Sequence, residues 1–257
     1  MNGPLTSIII PTYNGLELLR DCIAAIRTYT TVNYELIVID NGSEDETLAF
    51  CRQEKINFVS LPSNVGFPKA CNRGLRIAVG DTLLLLNNDV IVSHNWLNNM
   101  LACLNADEAT GAVAPYSNRV SGIQLLDSGY ETVEEFHCIA ATRNTPDPNQ
   151  WKQVERLVGM CFLFKRTVMN QIGLLDERFT PGLYEDDDYC YRLRQSGYKL
   201  MLAGDVIVHH KGSMSFKKTD PEVLEALIRT NRDKFQSKWG IDPQGFYAPF
   251  LEEGERV

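Results

Sequence analysis

Leu83-Leu84-Leu85-Leu86-Asn87-Asn88-Asp89-Val90 is the stretch from which the fold can be read. Four consecutive leucines leave no polar face, so the segment reads as a strand covered on both sides. That is the environment of a parallel sheet sandwiched between helices. The run stops abruptly in two amides and a carboxylate. Open α/β sheets bind ligands just beyond the carboxyl ends of their strands. Asp89 is therefore a candidate ligand for a divalent metal that holds a phosphorylated substrate. An Asn-Asn-Asp turn without chemistry is the alternative.

Upstream, the pattern repeats. Ser7-Ile8-Ile9-Ile10-Pro11-Thr12 is a β-branched run ended by proline, and apolar residues at helical spacing from Leu16 to Thr28 follow the turn Tyr13-Asn14-Gly15. Tyr34 to Asp40 reads as a second strand. Ser43 with Glu46 predicts a capping box for a helix through about Lys55. Asn57 to Leu61 reads as a third strand. A helix is predicted after Asn64-Val65-Gly66-Phe67-Pro68-Lys69 and through Val79, with Leu75, Ile77 and Ala78 apolar and Gly80 as its C-cap. The order βαβαβαβ predicts a parallel sheet with right-handed crossovers. Three strands end in polar residues, Thr12-Tyr13-Asn14, Asp40-Asn41 and Asn87-Asn88-Asp89, and their convergence on one rim points to a nucleotide site.

Downstream, the spacing predicts a helix over Ser93 to Asn105 and a strand over Gly111 to Pro115. Tyr116 to Asn149 lacks periodicity and reads as a long binding loop or lid. Arg156 to Phe164 is a predicted strand, followed by a short helix from Thr167 to Ile172. The acidic run Glu185-Asp186-Asp187-Asp188 opens a helix through about Ser196, capped by Gly197. Two short strands, Lys199 to Leu202 and Val206 to Val208, lead to His209-His210-Lys211-Gly212-Ser213. A last helix starts at Thr219 or Asp220, with Val223, Leu224, Leu227, Ile228 and Phe235 on its apolar face, and ends near Trp239-Gly240.

No repeat, low-complexity block or linker divides the 257 residues, so one domain is expected. The net charge of −8 argues against nucleic-acid binding, which leaves a basic footprint. Seven cysteines without CxxC or framework spacing read as reduced thiols of a cytoplasmic protein, most of them small core residues. Met1-Asn2-Gly3-Pro4 leads straight into a strand, so no signal peptide is expected. No apolar run approaches the ~20 residues of a membrane span.

Acidic side chains at a helix start are favoured by the helix dipole, so Glu185 to Asp188 has a structural explanation. Four adjacent like charges nevertheless repel. A crowded carboxylate cluster can supply a base able to take a proton from a hydroxyl. His209 or His210 would complete a set with Asp89 suited to Mn²⁺ or Mg²⁺. Asp40 stands where dinucleotide-binding folds place an acidic residue on a ribose hydroxyl, but the first turn lacks GxGxxG. Neither GxxxxGK[ST] nor GxSxG is present, which disfavours P-loop and α/β-hydrolase chemistry.

Taken together, SIIIPTYNG, ELIVIDNGSEDET, NVGFPKACNRGL, LLLLNNDV, GLYEDDDYCYRLRQSGYKL, VHHKGSMSF and NRDKFQSKWG resemble the family 2 glycosyltransferases, in the family's order from Ser7 to Gly240. The resemblance is nearest to the non-processive, rhamnosyltransferase-like branch. It implies an α/β GT-A fold, a Rossmann-like, mostly parallel sheet flanked by helices. About 5–115 would form the nucleotide-sugar-binding half and about 116–257 the acceptor-binding and catalytic half. It implies that Thr12, Tyr13 and Asp40 lie around base and ribose, and that Asn64, Gly66 and Lys69 approach the nucleotide. Asn87-Asn88-Asp89 takes the DxD place with Asn87 for the first aspartate, leaving Asp89 as the main metal contact. Glu185 and Asp186 match the ED pair, Asp186 as general base, and His209 or His210 matches a histidine near diphosphate and metal.

The implied reaction is a single inverting displacement, in which an acceptor hydroxyl attacks the anomeric carbon of a nucleotide sugar. The expected partners are that donor and a glycan or lipid-linked glycan acceptor. No transmembrane segment or QxxRW motif points to a processive synthase, while peripheral contact with the inner membrane face stays open. A nucleotidyltransferase, or a sugar-nucleotide binder without turnover, are the rival readings.

Overall fold

The structure, a computed structural model, describes residues 4–212 and 220–246. Its first half follows the predicted alternation. Strand β1 (Thr6–Thr12) leads to helix α1 (Leu16–Tyr29), β2 (Tyr34–Asp40), α2 (Thr47–Gln53), β3 (Asn57–Ser60), α3 (Phe67–Ile77) and β4 (Thr82–Leu86). Parallel pairing joins β1 to β2, β1 to β4 and β2 to β3. The second half contains β5 (Val90–Ile91), α4 (Trp96–Asn105), β6 (Thr110–Ser117), α5 (Val133–Arg143), β7 (Lys152–Val154) and β8 (Cys161–Lys165). It continues with α6 (Arg166–Ile172), α7 (Glu185–Gln195), β9 (Lys199–His210) and α8 (Pro221–Trp239).

One sheet runs β3-β2-β1-β4-β8-β6-β9-β5, with β7 on β9. β8 lies antiparallel to both β4 and β6, and β6 runs parallel to β9. Two reversals through β8 therefore return β6 and β9 to the direction of β4. The carboxyl ends of β1, β2, β4, β6 and β9 share one rim, and the residues entering β8 start from it.

The four leucines behave as their run demands. Leu84 and Leu86 pack on one face with α1 and α4, Leu83 and Leu85 on the other with α3 and α7. All four are at most 3% exposed. Burying one such side chain contributes roughly 1.5–3 kcal/mol. Six of the seven cysteines are buried and all are free, so they act as small apolar core residues.

Several local expectations are corrected. Ser43 caps no helix, because its Oγ accepts from the Asn14 N–H instead. α2 begins at Thr47, where Asp45 Oδ1 accepts from the Thr47 amide and hydroxyl. α3 stops at Ile77, which is 47% exposed, and Gly80 is not its cap. A Cβ on Gly80 would lie 2.6 Å from the Leu5 carbonyl oxygen, so this glycine answers a close approach. Tyr116 to Asn149 is not all loop. It contains α5, opened by a capping box between Thr132 and Glu135, but only Phe136 and Ala140 of that helix are buried.

β8 is shorter than the predicted strand because residues before it spend their amides on side chains. Val158 N donates to Gln124 Oε1 and Gly159 N to Asp186 Oδ2. Conversely, the two predicted strands after Lys199 are one strand, β9, with a register shift against β6 between Pro115–Ala203 and Tyr116–Ile207. On α8, Asp220 is the N-cap and only Phe235 of the expected apolar set is buried; Val223 is 59% exposed. The expectations at Ser213 and Thr219 fall outside the described residues.

Candidate active site

Beyond β4 the chain turns through Asn87, Asn88 and Asp89, and each side chain meets a different part of the rim. Asn87 N–H donates to the Met160 carbonyl at 2.9 Å, while its Oδ1 is enclosed without a hydrogen-bond partner. Asn88 Nδ2 donates to Thr12 Oγ1 at 2.8 Å, joining the ends of β4 and β1. Gly15 leaves room for that contact, since a Cβ there would lie 2.6 Å from Asn88 Nδ2. Asp89 is 6% exposed and its carbonyl accepts from Lys211 N, which ties the turn to the end of β9.

The structure separates the two histidines. Side chains alternate along a strand, so only one of them can face the rim. His210 Nε2 lies 3.1 Å from Asp89 Oδ1, without the alignment of a hydrogen bond. Its Nδ1 is 2.6 Å from the Arg119 carbonyl, an acceptor that assigns the neutral ring's proton to Nδ1. Nε2 then turns a lone pair toward a carboxylate. Burial disfavours the charged ring, yet Asp89 and the Arg119 carbonyl outweigh it and raise the His210 pKa. His209 is not brought to Asp89. Its Nδ1 meets the Tyr130 hydroxyl at 2.9 Å and its ring packs against Phe136. Burial, with the nearby cations, pushes its pKa down to about 4.

A carboxylate and an imidazole lone pair facing each other across 3.1 Å fit a divalent cation, which would relieve two opposed acceptors. Among the described residues no third His, Cys, Asp or Glu joins them in a metal-holding group. Two protein donors suit an ion that keeps water and substrate phosphate as its other ligands.

The other donor-side residues divide between rim and support. Tyr13 is 43% exposed on the rim. Asp40 is fully buried, with Oδ1 accepting from Ser43 N and Oδ2 from the Ser60 hydroxyl. It braces the turn after β2 and offers no exposed oxygen. Asn64 Oδ1 accepts from Asn41 Nδ2 and Gly66 N, closing the loop before α3. Gly66 has φ +89°, and a Cβ there would lie 2.6 Å from Thr180 Cγ2 and 2.9 Å from Pro181 Cα. Phe67 N donates to the Pro181 carbonyl at 2.7 Å. This glycine packs the start of α3 onto the segment that leads to the acidic run. Lys69 sits half-buried in the first turn of α3.

The four acids opening α7 have distinct surroundings. Leu183 and Tyr184 just before them adopt left-handed φ of 75° and 73°, a conformation rare outside glycine. Glu185 is 7% exposed with Oε2 unpartnered, and burial together with the Asp186 charge pushes its carboxyl well above the usual range. Asp186 is half-buried, with Oδ2 accepting from Gly159 N and Oδ1 from Asp187 N, each at 2.9 Å. Asp187 pairs with Arg156 at 2.5 Å. Asp188 accepts from Arg192, Lys238 and Trp239 Nε1.

Gly159 and Met160 connect the two parts of the site. Gly159 holds Asp186, and the next residue holds Asn87 beside Asp89. The sequence reading missed Gly159, Arg119, Arg156 and Asn231. Gly159 carried a usable signal, because glycine inside a strand-like run marks a close backbone approach; a Cβ there would touch Asp186 Cβ at 3.3 Å.

Residues 7–173 match the family described as glycosyl transferase family 2. The acid pair and His210 lie beyond that match. The low-salt glycan biosynthesis hexosyltransferase Agl10 of Haloferax volcanii is 24% identical over 199 residues, covering 76% of this chain and 63% of Agl10. Glycosyltransferase AglE of the same organism is 26% identical over 250 residues, covering 93% of this chain and 75% of AglE. The chain spans only 28% of a longer Sinorhizobium fredii protein, y4gI, to which it is 25% identical. The mannosyltransferase PcManGT of Pyrobaculum calidifontis, solved with GDP-Man and Mn²⁺, superposes with a TM-score of 0.61 at 21% identity, over 80% of this chain and 56% of that one. That likeness is one of fold, and it agrees with the α/β sheet expected from the sequence. With the matched residues running from β1 through α6, the chain belongs to glycosyl transferase family 2.

Proposed function

We propose that the protein is an inverting, non-processive, rhamnosyltransferase-like enzyme that moves a hexosyl or deoxyhexosyl group from a nucleotide sugar to an acceptor hydroxyl. The acceptor class is a glycan or lipid-linked glycan in polysaccharide or glycoconjugate assembly, at the cytoplasmic face of the membrane. The glycan-building relative Agl10 and the GDP-Man-bound structure support that reading. Contact with a lipid-linked acceptor is proposed to be peripheral; no helix among the described residues is long and apolar enough to cross a membrane. One observation carries the proposal: Asp89–His210 and Asp186 are fastened to one rim through the consecutive residues Gly159 and Met160.

Asp186 takes the proton of the acceptor hydroxyl as that oxygen bonds to the anomeric carbon. The bond from that carbon to the donor diphosphate breaks, and its electron pair leaves on the diphosphate. Asp186 is aimed for this by the Gly159 and Asp187 amides. Asp89 and His210 would hold Mn²⁺ or Mg²⁺, whose charge stabilises the departing diphosphate. Tyr13, Thr12, Asn88 and Lys69 line the donor side, while Asp40, Asn64 and Gly66 shape its turns.

Incubation with UDP-, dTDP- and GDP-sugars and Mn²⁺ tests the reading. Release of nucleoside diphosphate is expected, together with a fall in turnover of about 10²- to 10⁴-fold in Asp186→Asn and loss of Mn²⁺ binding by calorimetry in Asp89→Ala. Pyrophosphate formed from a nucleoside triphosphate would favour nucleotidyl transfer instead.

A further inference from the structure

We infer that Asn231, in the middle of α8, is a positioning residue that sets the place of Asp186; this rests on Asp186 being the base of the proposed reaction. Asn231 is fully buried. Its Nδ2 donates to the carbonyls of Gly182 at 2.8 Å, Leu183 at 3.0 Å and Phe179 at 3.3 Å. Its Oδ1 accepts from Lys234 Nζ at 2.8 Å, and Lys234 also donates to the Arg178 carbonyl. The ammonium fixes the amide orientation, because it can only face the oxygen.

These acceptors belong to the loop that ends in the left-handed residues Leu183 and Tyr184. Such a conformation persists where the surroundings over-determine it, commonly at functional sites. Here one side is supplied by Phe67 N on the Pro181 carbonyl and by the close fit of Gly66. Asn231 supplies the other side. Tyr184 is the residue from which α7 starts, so the loop's conformation decides where the carboxylate two residues later meets Gly159. Without the carboxamide, buried carbonyls lose their donor and the loop relaxes, although Asn231 touches neither donor nor acceptor.

The test is steady-state kinetics with whichever donor the wild-type protein turns over. A misplacement on the order of 1 Å can cost about 10²-fold in rate, so Asn231→Ala is expected to lower kcat by about 10- to 100-fold. Donor KM should stay within about twofold, because an interaction used only in the chemical step was lost. Asn231→Ser, which keeps one hydroxyl donor at little more than alanine's volume and adds no charge at a fully buried place, should fall by less than Asn231→Ala and serves if the alanine variant does not fold. The double variant with Asp186→Asn should be no slower than Asp186→Asn alone, since residues acting as a unit are not additive. A folded Asn231 variant with wild-type kcat, or a double variant slowed by the full factor again, would overturn the inference. Wild-type turnover surviving in Asp186→Asn would strike the base assignment itself, and the inference with it.

Discussion

At the scale of single residues, buried Glu185 and half-buried His209 make the fold sensitive to pH in opposite senses. Glu185 has a folded pKa well above its ordinary value, from burial first and then the Asp186 charge. Below the unfolded value of about 4.3 both states hold the proton. As pH rises past it, the unfolded chain releases that proton first, and stability falls. Glu185→Gln should therefore be more stable than the wild type at pH 7 and lose that advantage near pH 4. Differential scanning fluorimetry would read it as about 2–4 °C of Tm per kcal/mol recovered. His209 has a folded pKa lowered to about 4, by burial first. Its contribution is complete above the unfolded value of about 6.5 and is lost as pH falls toward the folded one. His209→Phe should flatten the decline of Tm between pH about 6.5 and about 4, whatever it costs through the unpaired Tyr130 hydroxyl.

At the scale of elements, α3 lies on the sheet through a glycine. A Cβ on Gly74 would collide with Ile9 Cγ2, and Ile39 Cγ1 is 3.3 Å away. Gly74→Ala gains helix propensity of up to about 1 kcal/mol but must push α3 off β1 and β2. Overpacking of this kind costs about 1–3 kcal/mol, so a net loss in urea unfolding is expected. Elements whose own residues carry the signal were legible: the leucine strand, the acidic start of α7 and the Asp220 cap. Helix α5 was not, because two buried residues leave almost no periodicity. Nor was the unity of β9, since Gly204 and Asp205 read as a break. Asp205 is in fact fully buried, accepting from Trp151 Nε1 and Asp147 N. The candidate site was legible in its residue types, but not in its register. The choice between His209 and His210, and the retreat of Asp40 behind Ser43 and Ser60, depend on side-chain direction that spacing alone does not give.

At the scale of the molecule, α8 is fastened to the acid-bearing helix by a buried charge. Asp188 is fully buried and receives Arg192, Lys238 and Trp239. Without it Lys238 keeps Asp176 and Arg192 keeps the Ile172 and Leu174 carbonyls, so the loss should fall at or below the lower end of the about 3–5 kcal/mol that breaking a buried pair from one side costs. Asp188→Ala should lower the urea midpoint accordingly, with the slope of the transition preserved if unfolding stays two-state.

Strand β9 lies between β6 and β5, which are both far earlier in the chain, and carries β7 as well. Val90 and Ile91 wait for His210 and His209, about 120 residues later, before they can pair. During synthesis the turn holding Asp89 must therefore emerge long before the strand that completes it. Contacts of such sequence separation are slow to form. Bringing Asp89 against His210 thus marks a late step of maturation, and protection of the Val90 and Ile91 amides from hydrogen exchange would time the closing of that edge of the sheet.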